Sequence, residues 1–297
     1  MFIKKYDFLT GCVLFGLILF SACSGQGAVI ENDRQPGAQP TVSAMLETVP
    51  TIVPPTVTQP VEKNTIEATV FTPLKVVELC SPIEGMTRQE LEKSVVNPFL
   101  PPPAGSDDPH HGVDLADIDP NSGFALEGRR VNALMSGKVA SVIVNRFPYG
   151  NGIILETPLR KIPAEWVNML DLPAIQSVDL SSSTLTCPSM SPIVVSENPG
   201  ERSLYFLYAH LKNPPMIKLG DLVVCGQQLG NIGNTGNSIN PHLHLEVRLG
   251  MENITLGGMA HYDASATVDE MNTYCLWRIS GYFQRIDPMK IISLIQD

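Results

Sequence analysis

The 297-residue chain is short of charge: 17% of its residues are Asp, Glu, Lys or Arg, and the net charge is −10. So little positive charge leaves no basic face for nucleic acid, which is excluded as a partner. Long apolar runs are missing as well. The uncharged stretch near the amino end, Phe8 to Ala22, is only fifteen residues, against about 20 for a membrane-spanning helix. No C-x-x-C pair occurs, which removes the usual metal site built on paired cysteines. Nor is there an H-E-x-x-H, so a helix-borne glutamate base is absent. The glycines from Gly226 to Gly236 precede neither a Lys-Ser/Thr nor a helical pattern, so they do not form a phosphate loop.

What the chain does have is 23 glycines and 25 prolines, which point to short strands joined by many turns. Its amino end reads as an export signal. Lys4 and Lys5 precede the apolar run, and "LFSAC" resembles a lipoprotein lipobox, with small residues before an acceptor cysteine. That resemblance implies cleavage after Ala22, lipidation of Cys23, and a chain held outside the cytoplasm on a bacterial membrane through its lipid. Phe20 stands where Leu is commoner. Residues 23–79 are rich in Pro, Thr and Val without helical period, which predicts a disordered, semi-stiff tether. Residues 80–297 are left for the folded domain.

Four further cysteines, Cys80, Cys187, Cys225 and Cys275, suit two disulfides in an exported protein. Of the three possible pairings, Cys80 with Cys275, near the two ends of the domain, and Cys187 with Cys225 is the expected one.

Only six histidines occur. In "INPHLHLEVRLG" the alternation of a strand puts His242, His244 and Glu246 on one face and Leu243, Leu245 and Val247 on the other. Two residues of strand span about 6.7 Å, close enough for both rings to serve one small site. Taken alone, such a pair reads as the polar face of an amphipathic strand. Upstream, "DDPHHGVDLAD" carries His110, Gly112 and Asp114. In a straight strand His110 and Asp114 would lie about 13 Å apart, so sharing a metal requires a curled loop, with Gly112 the place for the curl. "RSLYFLYAHL" is a β-rich run closed by His210.

Together, "HHGVDLA", "GRRVNALMSGKVASV", "YGNGIILE", "LYAHL", "KLGDLVVCGQQLGNIGNTGNSINPHLHLEVR" and "RIDPMKII" resemble the LytM/lysostaphin-type zinc endopeptidases of bacterial cell walls. The resemblance implies a mainly β fold, with antiparallel sheets forming a duplicated hybrid-barrel-like core. It implies one Zn2+ held by His110, Asp114 and His244, and catalytic roles for His210 and His242. The implied substrate is the peptide part of peptidoglycan. A non-catalytic relative that binds wall or activates another hydrolase is the alternative, and a regulatory protein partner, if there is one, is not identified by the sequence. A biotinyl- or lipoyl-type carrier is a more remote one, because no lysine sits in the hairpin that would carry the cofactor.

Two stretches depart from the compact family pattern. Residues 159–201 hold a short helical segment, "IPAEWVNML", with Trp166 a candidate wall of the substrate groove. Residues 251–284 hold a T-x-x-E capping box, Thr267 with Glu270, opening a helix over Val268 to Phe283. His261, in the loop ahead of it, suits a structural role, and His111 points away from His110. A second box, Thr87 with Glu90, opens a short helix after Cys80.

Overall fold

The computed structural model describes residues 78–103, 105–173, 185–188 and 201–296. The signal segment, Cys23 and nearly all of the proposed tether lie outside those residues. Among the described residues no helix is long and apolar enough to cross a membrane.

Among the described residues there are ten strands and four short α-helices. In chain order the strands are β1 (Val95–Asn97), β2 (Val113–Leu115), β3 (Arg130–Asn132), β4 (Gly137–Arg146), β5 (Gly150–Pro158), β6 (Arg202–Ala209), β7 (Leu222–Val223), β8 (Gln228–Asn231), β9 (Leu243–Met251) and β10 (Gln284–Ile286). The helices are α1 (Arg88–Lys93), α2 (Ala164–Met169), α3 (Val268–Arg278) and α4 (Pro288–Ile292). Eight strands make one antiparallel sheet in the order β1-β2-β9-β6-β5-β4-β7, with β10 added beside β9. β3 and β8 pair separately. The expected mainly β, antiparallel architecture is therefore present.

Alternation along the central strands gives the sheet two apolar faces. Leu243, Leu245, Val247 and Leu249 of β9 join Leu204, Phe206 and Tyr208 of β6 in one cluster, with Ile83, Leu91 and Ile291 packed on it. Tyr205, Leu207 and Ala209 point the other way, into a cluster closed by Leu256, Met259, Tyr274, Cys275, Trp277 and Phe283. A sheet buried on both sides reads as near-continuous apolar runs, which is why "SLYFLYA" shows no polar face. Residues 251–284 supply the cover for the second face, and His244, Glu246 and Arg248 of β9 project to that side.

Three expectations change. The disulfides are Cys80–Cys225 and Cys187–Cys275, not Cys80–Cys275 and Cys187–Cys225. Cys80 and Gly226 both bond to the backbone of residues 133–134, which brings Cys80 beside Cys225. Cys275 faces the opposite side of the sheet. The helix opened by Thr267 stops at Arg278 rather than Phe283, because Gly281 takes a left-handed turn (φ 81°) that leads into β10. Trp166 packs against the first cluster, away from the face that carries the histidine site.

A candidate metal centre with four histidines

Asp114 and His244 are direct cross-strand partners on β2 and β9. Such pairs place their side chains about 5 Å apart on one face. That register brings His244 Nδ1 within 2.7 Å of Asp114 Oδ1. His110 enters from the preceding turn, pinned by paired backbone bonds to Leu100, and its Nε2 lies 3.2 Å from both Asp114 Oδ1 and His244 Nδ1. Gly112 makes the approach possible, though not by curling. A Cβ there would meet the Leu245 carbonyl oxygen at 2.4 Å, so only glycine lets this turn lie flat on β9.

The other two histidines stand at the same mouth. His242 lies one residue ahead of β9, with Nε2 3.4 Å from Asp114 Oδ1. His210 follows β6 in the left-handed region (φ 60°), uncommon for a residue other than glycine. Its ring centroid is 4.8 Å from that of His242 and 5.7 Å from that of His244.

Hydrogen bonds at the backs of these rings fix their tautomers. His110 Nδ1 faces Pro98 O at 2.8 Å, His210 Nδ1 faces Thr235 O at 2.7 Å and His242 Nδ1 faces Asn240 O at 2.7 Å. A carbonyl oxygen only accepts, so each of these nitrogens carries the proton. His244 Nε2 in turn faces the Glu246 carboxylate at 3.2 Å and donates to it. The inward nitrogens of neutral rings are therefore lone pairs, and three acceptor atoms converge with no donor among them: His110 Nε2, His244 Nδ1 and Asp114 Oδ1. All three lie within 4.8 Å of one another. Two imidazoles and a carboxylate match the donors of a catalytic zinc site with one place left open.

Electrostatics point the same way. Burial works against charge on Asp114, yet the close approach of the His110, His242 and His244 rings holds its carboxyl well below the usual range. Burial also opposes charge on His244, but its bonds to Asp114 and Glu246 outweigh that and raise it to about 9. His210 is pushed down to about 3, chiefly by burial and then by its histidine neighbours, and is neutral at ordinary pH.

Behind the four rings lies a charged network that the sequence motifs did not announce. Glu246 is fully buried. Its Oε1 accepts from Tyr149 Oη at 2.9 Å and Arg278 at 3.1 Å, and its Oε2 accepts from Arg248 Nε at 2.8 Å and Trp277 Nε1 at 3.0 Å. Burial opposes the charge, but Arg248, His244 and Arg278 keep this carboxylate ionised. His111 does point away from His110: it accepts from Arg248 at 2.6 Å and is held neutral by burial and the two arginines. His261 is structural, as expected, with Nε2 on Thr186 O at 2.8 Å and its ring stacked on Tyr274. Asn97, on β1 opposite Asp114, donates to Asp114 Oδ2 at 3.0 Å. Besides His111 and His261, only Glu246 among these partners carried a signal in the sequence, its place on the histidine face.

Residues 189–256 match the profile of peptidase family M23. That stretch is similar to the M23 peptidases. The matched stretch contains His210, His242 and His244, while His110 and Asp114 reach the histidine cluster from outside it. Among solved structures, the chain is similar to one assigned to peptidase M23 from Pseudomonas aeruginosa, at 19% identity and TM-score 0.32, covering 74% of this chain and 56% of that one. It is similar also to the catalytic domain of lysostaphin from Staphylococcus simulans, at 22% identity and TM-score 0.34, covering 70% and 98%. A zinc-containing peptidase from Vibrio cholerae matches at 22% identity and TM-score 0.32, covering 57% and 36%. The chain thus spans about half of the Pseudomonas protein and about a third of the Vibrio one. None of the three adds to what the strands and the site already show.

Proposed function

We propose that this protein is a zinc metalloendopeptidase that cuts peptide bonds of bacterial peptidoglycan, tethered to a membrane by lipid on Cys23. The observation that carries the reading is the convergence of His110 Nε2, Asp114 Oδ1 and His244 Nδ1, three acceptors with no donor between them. In this reading those three residues hold the metal. Zinc, when bound, supplies Lewis-acid polarisation of the scissile carbonyl.

The chain's own groups do the rest. His242, partly exposed and aimed inward through Nε2, is the general base that takes the proton from the attacking water. The same nitrogen returns that proton to the leaving amine as the carbon–nitrogen bond breaks. Neutral His210, with Nδ1 tied to Thr235, offers a lone pair and not a donor at its inner nitrogen. That favours a share in the proton work over holding the oxyanion before any proton has arrived. Glu246 keeps the His244 proton on Nε2, so that Nδ1 stays free for the metal.

The test is digestion of purified peptidoglycan, with and without chelator, followed by mass analysis of the released fragments. Chelator-sensitive release of peptide-cleaved fragments is expected, and His242→Ala should abolish it while one zinc stays bound. An intact wall in the presence of zinc-loaded protein would transfer support to the non-catalytic wall-binding or activator reading. Metabolic labelling with a fatty acid tests the anchor: label should be lost in Cys23→Ala.

A further inference from the structure

One side chain of α3 touches the supports of both metal-binding arms. Arg278, the last residue of that helix, donates from Nε to Asp107 Oδ1 at 2.5 Å and from a terminal nitrogen to the Asp107 carbonyl at 3.0 Å. Asp107 lies three residues ahead of His110, in the same turn. The other terminal nitrogen donates to Glu246 Oε1 at 3.1 Å, the oxygen on which His244 rests its Nε2. The guanidinium is nearly buried, with 11% of its side chain exposed, against 10% for Asp107 and none for Glu246. Asp107 is fixed further by Tyr262 Oη at 3.0 Å and Tyr274 Oη at 2.9 Å, the second also from α3.

The His110 turn also meets β9 where Gly112 lies on Leu245 and where His111 accepts from Arg248 at 2.6 Å, but neither contact holds Asp107, the residue behind His110. A planar fork that bonds two carboxylates in fixed directions sets the distance between the groups behind them, which a point-charge ammonium cannot do. We propose that Arg278 is a positioning residue for the metal centre, setting the separation of His110 and His244 from behind through Asp107 and Glu246. The inference rests on the metallopeptidase reading. It gives the segment 251–284 a role in the chemistry, since that segment brings in the arginine.

The experiment measures zinc affinity of the intact chain, purified in detergent, by competition with a chromophoric chelator, alongside thermal melts of the metal-free form. Arg278→Lys is expected to weaken zinc binding about tenfold and Arg278→Met about a hundredfold, the range seen when partners of metal-binding histidines are altered. Arg146→Lys is the control: Arg146 bonds Glu270 of the same helix at 2.6 Å and has no bond to either arm. A loss in Arg278→Lys with wild-type affinity in Arg146→Lys supports positioning. Wild-type affinity in a folded Arg278→Lys, or equal losses in the two lysine variants, overturns it. Should Arg278→Lys fail to fold, Asp107→Asn decides in its place, with the same losses expected and wild-type affinity counting against. A wild-type protein that binds no zinc overturns the metallopeptidase reading itself, an outcome distinct from tight binding unaffected by Arg278.

Discussion

A methyl group added at Gly112 would sit 2.4 Å from the Leu245 carbonyl oxygen and about as close to nothing else that could yield, since the obstacle is backbone. Gly112→Ala must therefore push the His110 turn off β9. Overpacking of this kind costs about 1–3 kcal/mol, which a urea unfolding curve would resolve. Zinc affinity should fall with it, because His110 sits two residues away on the displaced turn. Asn97→Ala is the opposite experiment: it leaves packing alone and frees Asp114 Oδ2. Unfolding stability should change little, while zinc affinity drops about tenfold, read by chelator competition. The resemblance of several short motifs, taken together and in order, points to His110, Asp114, His210, His242 and His244; spacing alone would have left the histidine pair as the polar face of a strand. The motifs are silent on Asn97 and Arg278. Each of those meets the site across a sheet register or from a helix far along the chain, and nothing local marks them.

Helix α3 begins with a reciprocal box, Thr267 Oγ1 accepting from the Glu270 amide at 3.2 Å and Glu270 Oε2 accepting from the Thr267 amide at 2.9 Å. Burial works against the ionised Glu270, but these bonds and Arg146 win, so its pKa is lowered from 4.5. A carboxylate lowered on folding adds stability that is fully present above its unfolded value. That stability is lost as pH falls through the lower folded value. Melting temperature should therefore decline below about pH 4.5, and Glu270→Gln should flatten that part of the profile at a cost of about 1 kcal/mol at neutral pH. A profile identical in the variant would remove Glu270 from the account. Both capping boxes were legible, since T-x-x-E needs only four residues. The end of α3 was not. "CLWRISGYF" keeps an apolar rhythm past Arg278, and the stop comes from the left-handed turn at Gly281 together with the pairing of β10 to β9.

Across the whole domain, the two disulfides tie opposite faces of one sheet. Cys80–Cys225 lies on the side of the first apolar cluster, and Cys187–Cys275 joins α3 to the second. Proximity to the two ends of the domain suggested Cys80 with Cys275, but the sheet lies between them, a separation that spacing along the chain does not encode. The cross-links close spans of 145 and 88 residues. Long loops lose the most entropy in the unfolded chain, so each bond is worth about 4–5 kcal/mol in the chain-entropy account. The spans overlap, so removing both should cost less than twice that. Cys80→Ser/Cys225→Ser lowers stability from the face away from the metal centre, and zinc affinity measured well below its melting point should stay at the wild-type value. Cys187→Ser/Cys275→Ser acts where α3 is anchored. It should lower stability by a similar amount and, by loosening the helix that carries Arg278, weaken zinc binding as well. Equal zinc affinity in the two double variants would mean that the buried contacts of Trp277 and Arg278 hold α3 in place without the cross-link.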